Sequence, residues 1–149
     1  MMRKIGSTTL LGFVIGGILV AMPAGTSDGI VRSLSQVKFE QDEDVKCLRS
    51  SLESGDPRTG PSTYILSAPE KCAVPWHYHT AEEQLVVIRG SVLTEMDGMR
   101  SSTLGAGGFA LMPSKKHHQF SCGEKSECLM VVSFDRPYDI FWVKELGNR

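Results

Sequence analysis

The sequence predicts an all-β chain folded as a sandwich or a closed barrel. Three observations carry that prediction. About ten short alternating or apolar runs recur along the chain, divided by turn-forming clusters at the spacing of such folds. Fifteen Gly and seven Pro in 149 residues supply the turns. No segment sustains a helical period, and no internal repeat is present.

The N-terminus stands apart. Arg3 and Lys4 precede an uncharged stretch over residues 5–27, with an apolar core from Leu10 to Ala21. This is the layout of a secretory signal peptide, with cleavage expected between Ala24 and Ser27, so that residues 1–24 are removed. The alternative is a membrane anchor over residues 5–27, since about 20 apolar residues span a bilayer. Gly12, Gly16, Gly17 and Pro23 argue against a permanent helix there. The expected location is therefore periplasmic or extracellular. Removing residues 1–24 takes two positive charges from a formal charge of −1 and leaves −3, which argues against a nucleic-acid partner.

Residues 25–35 read as a flexible lead-in, and 36–149 as one domain, a size that fits a single core. Gln36–Glu40 alternates and is expected to be a strand. Gln41–Asp44 is an acidic turn, read as solvated. Strands are expected over Val45–Glu53 and Ser62–Ser67, with the SGDPRTGP loop between them. Pro75 is tolerable at the start of the next strand, where parity turns Pro75, His77 and His79 one way and Trp76 and Tyr78 the other. Thr80–Glu82 is a turn. Gln84–Arg89 is a buried strand, continued by Ser91–Met96 beyond Gly90. Asp97-Gly98 is a two-residue hairpin signal. Further strands are expected over Phe109–Met112, His117–Cys122, Cys128–Phe134 and Asp139–Lys144.

The chemistry concentrates in Cys72–Gly90, CAVPWHYHTAEEQLVVIRG. His77 and His79 share one face of a strand, and Glu83 follows the turn. Two imidazoles and a carboxylate converging on one point suit a divalent metal. A second stretch, Gly107–Cys122, offers His118 from a neighbouring strand.

These two stretches resemble the two sequence motifs of the cupin superfamily. His77, His79, Glu83 and Gly90 meet every spacing of the first, and Gly107, Pro113 and His118 fit the second. Lys115 stands where the family has Gly, and Cys122 where it has Asn. The resemblance covers residues 45–144 and implies a jelly-roll barrel, also called a double-stranded β-helix, commonly dimeric. It implies a divalent metal ion (Zn, Mn, Cu, Fe or Ni) held by His77, His79, Glu83 and His118. Glu82 competes with Glu83, but the run to Gly90 favours Glu83; His117 competes with His118, and spacing from Pro113 favours His118.

If His118 points inward, so do Phe120 and Cys122; if Glu83 does, so do Leu85 and Val87. Phe109, Met130 and Phe134 are further candidates for a pocket wall, with core packing the commoner role for such residues. Lys115, Lys116 and Arg89 are candidates for binding an anionic substrate, against a default of solvated surface. Tyr64 can reach a cavity if its face allows. No catalytic residue stands out beyond the metal ligands, and neither a GxSxG elbow nor a phosphate loop is present.

Four cysteines in an exported chain suggest disulfides. Cys122 and Cys128 flank the polar turn GEKSE and are expected to face each other across a hairpin, which leaves Cys47 with Cys72; four free thiols are the alternative. The functional expectation is a metal-dependent enzyme on a small organic molecule, of dioxygenase, decarboxylase, isomerase or lyase type. The alternatives are a module that binds or senses a ligand without turnover, and a barrel with a vestigial site.

Overall fold

The computed structural model describes residues 29–144. The chain divides into two units, Met1–Val31 and Arg32–Arg149, and every described strand belongs to the second. The expected signal peptide, or anchor, lies outside the described residues. Among the described residues no helix is long and apolar enough to cross a membrane.

Eleven strands are described: β1 Glu40–Gln41, β2 Arg49–Gly55, β3 Ser62–Ala68, β4 Ala73–Tyr78, β5 Glu83–Arg89, β6 Val92–Met96, β7 Ser102–Leu104, β8 Phe109–Met112, β9 His118–Cys122, β10 Cys128–Phe134 and β11 Phe141–Trp142. They form a six-stranded sheet in the order β1-β2-β3-β10-β5-β8 and a five-stranded sheet in the order β11-β4-β9-β6-β7. Successive strands cross between the sheets, from β3 to β4, β5 to β6, β8 to β9 and β10 to β11. That is the jelly-roll barrel the sequence implied. Val74, Leu85, Val87, Val92, Met112, Met130 and Val132 fill the space between the sheets. Each alternates with an outward neighbour, as in the BeBeBee burial pattern along β5.

Gly90 allows the chain to leave one sheet for the other. Its φ is +80°, and a Cβ there would sit 2.3 Å from the Glu127 carbonyl oxygen. No other residue fits such a corner without backbone movement. β5 therefore does not run on into β6.

The N-terminal expectations need correction. Over Gln36–Glu40 only Glu40 joins a ladder, pairing with Ser50, and Leu34–Gln36 is a turn of 3-10 helix. Val37 and Phe39 are less exposed than Lys38 and Glu40, so the alternation is real but lacks a partner strand. Val45–Leu48 is a turn rather than the start of a strand. Leu48 N–H bonds the Val45 carbonyl at 2.9 Å, and both side chains are buried at a spacing of three instead of two. Asp97 and Gly98 form the centre of the expected turn, closed by Met99 N–H on the Met96 carbonyl at 3.0 Å, but the β6–β7 ladder pairs only from Thr94 and Ser102, so the whole connection is longer than two residues. The last strand is confined to Phe141–Trp142.

Both expected disulfides form: Cys47–Cys72 with Cα atoms 5.6 Å apart, and Cys122–Cys128 at 5.7 Å.

Candidate metal centre

A bulge aims the first two histidines. In β4, Val74 pairs with Phe120 and His77 with His118, so three steps on β4 meet two on β9. Pro75, which has no N–H to give the ladder, lies in that bulge. Val74 is buried and Pro75 exposed, so unbroken alternation would have turned His77 outward. The extra residue resets the parity, and His77 and His79 both point inward. Pro75 therefore does not share their face, contrary to the simple parity reading. His118 opens β9 from the same sheet, and Glu83 opens β5 from the opposite one.

The four side chains meet between the sheets. Their ligating atoms lie within 4.8 Å of one another. All four residues are buried, with exposures of 2–3%. Glu83 Oε2 is 3.1 Å from His79 Nε2 and 3.0 Å from His118 Nε2. The His77 and His118 rings are 4.2 Å apart.

Backbone carbonyls fix the tautomers. The Nδ1–H of His77 donates to Pro75 O at 2.7 Å, and that of His118 to Lys116 O at 2.7 Å. The Nδ1–H of His79 donates to Asp139 O. A carbonyl only accepts, so each Nδ1 carries the hydrogen and each neutral ring turns an Nε2 lone pair inward. Lone pairs from two rings facing a carboxylate oxygen repel unless a cation or a proton lies between them. This donor set suits a divalent ion of the borderline class. The residues present therefore fit the metal.

Electrostatics divide the histidines. Burial, helped by the neighbouring charge of His118, pushes the His77 imidazole down to about 4, so it stays neutral. Burial also depresses His79, but the hydrogen bond and charge of Glu83 outweigh it and raise the net value. Burial opposes ionisation of Glu83, yet hydrogen bonds from His118 and His79 prevail and hold it well below the usual carboxylate range.

Glu82 lies apart from the centre, its backbone N–H on Asp135 and its carboxylate accepting from Gln84. His117 packs against Tyr78 with ring centroids 5.3 Å apart, outside the cluster. Lys115 N–H bonds the His79 carbonyl at 2.7 Å, and Ser114 Oγ donates to Thr80 O at 2.6 Å. The turn before His118 is thus latched to the turn after His79.

Above the centre lies a cavity of about 470 Å³, reached by His77, His79 and Glu83. Tyr64, Phe120, Val132, Phe134 and Tyr138 line it. Leu85, Val87, Met130 and Cys122 point inward but belong to the packed core. Phe109 faces outward at 54% exposure and forms no part of the wall. Lys115, Lys116 and Arg89 do not line the cavity, and Arg89 pairs with Glu127.

Sequence reasoning missed three contributions. Tyr138 lines the cavity beside His79, with ring centroids 5.4 Å apart, and its hydroxyl donates to Asp44 Oδ2 at 3.2 Å. Asp139 supplies the carbonyl that orients His79, while its carboxylate accepts from Thr80 N–H at 2.7 Å. The acidic turn read as solvated borders the cavity mouth. None of these carries a spacing motif, because each acts across more than thirty residues of sequence.

A model of the cupin domain matches residues 64–134. Among solved structures, the polyketide cyclase RemF from Streptomyces resistomycificus is 20% identical, with a TM-score of 0.68 over 80% of this chain and 89% of that one. The DMSP lyase DddQ from Ruegeria pomeroyi is 16% identical, with a TM-score of 0.62 over 76% and 64% of the two chains. KdgF from Halomonas is 13% identical, with a TM-score of 0.59 over 70% and 93%. A comparison with curated protein sequences finds no match.

Proposed function

The chain belongs to the cupin superfamily, and from that premise we propose that it is a metal-dependent enzyme acting on a small organic molecule. The observation that carries this reading is the convergence of three imidazoles and one carboxylate on one point, three of the four residues (His77, His79 and Glu83) also lining an aromatic-walled cavity. A cavity of about 470 Å³ suits a small-molecule ligand.

A divalent ion held by His77, His79, Glu83 and His118 would supply Lewis-acid character and open coordination positions. The remaining work falls to the chain itself. Phe120, Val132 and Phe134 keep water from the floor, which strengthens every polar contact made there. Burial pushes the Tyr64 and Tyr138 phenols above their ordinary range, so both keep their protons and can donate hydrogen bonds. Tyr138 is held toward the mouth by Asp44, and its ring packs on His79 and Phe134. Of the candidate reaction types, the lyase type has a named precedent on this fold in the DMSP lyase.

Export belongs to the same proposal. Two cystine bridges and a charged-then-apolar N-terminal stretch support it. Dimerisation, which the resemblance implies, is not required, since every group of the centre comes from one chain.

The test is metal content after purification, followed by turnover of a panel of phenols, diketones and small acids with each metal restored. Wild type is expected to hold one ion per chain, and His77→Ala and His118→Ala far less. Metal without turnover of any compound would move the reading to a binding module; wild type without metal would end it.

A further inference from the structure

The geometry points to an organic cation as the ligand of this cavity: a protonated amine carried on an apolar or aromatic body. The inference rests on the reading of the cavity as a substrate site and adds to it the charge of the substrate.

The mouth is bordered by Glu40, Asp42, Glu43 and Asp44, against a single basic lining residue, Arg58. Arg58 is already engaged by Asp56, with contacts of 3.2 and 3.4 Å. The nearby cations are turned to backbone oxygens: Lys46 Nζ to Glu43 O at 2.9 Å and Arg49 to Phe39 O at 3.0 Å. Among the described residues, none of the four mouth carboxylates has an ion-pair partner within 4 Å. Asp42 is fixed by the N–H groups of Asp44 and Val45, at 3.0 and 2.8 Å. Asp44 is fixed by Tyr138.

An acidic rim alone would signify little, but the floor beneath it is built for a ligand. His77, 2% exposed, lines the cavity together with His79 and Glu83, so a molecule entering past the rim reaches the metal centre itself. Between rim and floor stand the rings of Tyr64, Phe134 and Tyr138, with Phe134 edge-on to both tyrosines at 6.2 and 5.0 Å. Aromatic faces attract ammonium groups and accept apolar bodies. Low-dielectric walls focus the field of the carboxylates into the cavity. A carboxylate or phosphate substrate would have to pass four like charges before reaching the floor. An amine would be drawn in.

The experiment uses the full chain loaded with zinc and three probes of one shape: 2-phenylethylamine, 2-phenylethanol and 3-phenylpropionate. Calorimetry at low and high salt gives the affinities, and zinc content is measured on the same sample. The amine should bind at least roughly tenfold more tightly than the alcohol at low salt, with the propionate weakest. The gap should narrow at high salt and in Glu40→Gln/Glu43→Gln, two exposed positions whose folding is checked by thermal melting. The propionate carries its own attraction for zinc, so the comparison is weighted against the expected order. Zinc-loaded protein that binds the propionate as well as the amine, or binds none of the probes, overturns the inference and leaves the metal centre standing. Protein that holds no zinc overturns the centre itself.

Discussion

At the scale of single residues, the centre makes a pH prediction. His77 folds with its pKa lowered from 6.5 to about 4, so between those values the unfolded chain takes up a proton that the folded chain refuses. Stability of the metal-free protein should therefore fall as pH drops from 6.5 toward 4. The shift corresponds to roughly 3 kcal/mol. Glu83, lowered, adds stability above the carboxylate range that is lost as pH falls through its folded value. His79 runs the other way: its raised value adds stability below 6.5 that is lost as pH rises through it. Urea unfolding in chelator across pH 4–8 reads the sum, in which the acid-side loss of roughly 3 kcal/mol from His77 is offset in part by the gain from His79. Metal affinity should rise with pH through the raised value of His79, because that ring must release its proton to ligate. A flat affinity profile would contradict the assignment of His79.

Lys115 makes a second residue-scale prediction. Its φ of 62° is left-handed, at the position where the cupin pattern has glycine. A side chain there costs about 1 kcal/mol. Lys115→Gly should stabilise the protein by about 0.5 kcal/mol once the greater freedom of the unfolded chain is deducted, read as a small rise in melting temperature. The departure from the pattern was visible in the sequence; that the backbone keeps the glycine conformation regardless was not.

At the scale of elements, the turns decide where strands belong. Gly90 and Gly107 both have positive φ, at +80° and +82°. They differ in surroundings: a Cβ on Gly90 would collide with the backbone of Glu127 and Cys128, while one on Gly107 would meet nothing within 4 Å. Gly90→Ala should therefore cost about 3 kcal/mol or more, and Gly107→Ala about 1 kcal/mol, measured by chemical denaturation. Equal costs would show that the corner at Gly90 relaxes.

Elements also show what sequence reading can and cannot reach. The strands β3, β5, β8, β9 and β10 were legible because their alternation is matched by partners in a ladder. The Gln36–Glu40 alternation had no such partner over most of its length, and the apolar pair Val45 and Leu48 served a turn. The four-residue cluster was legible because its spacing is local within each of two stretches. The bulge at Pro75–Trp76 that aims it was not, since a bulge is a relation between two strands. The cavity rim was hidden for the same reason: Asp44 and Tyr138 meet across 94 residues.

At the scale of the molecule, two sheets share one point. β4 and β9 bring three imidazoles from the five-stranded sheet, and β5 brings Glu83 from the six-stranded one. An ion held there would tie the sheets together as well as serve chemistry, so its affinity and the stability of the fold are linked. The disulfide Cys47–Cys72 pins the chain just after the acidic turn to the entry of β4. It thus fixes the mouth relative to the floor. The most direct test of the four-ligand centre is X-ray absorption at the zinc edge of the loaded protein. The expected spectrum has three imidazole nitrogens at about 2.0–2.1 Å and carboxylate oxygen at about 2.0–2.2 Å. Fewer than three imidazoles, or sulfur scattering near about 2.3 Å, would contradict it.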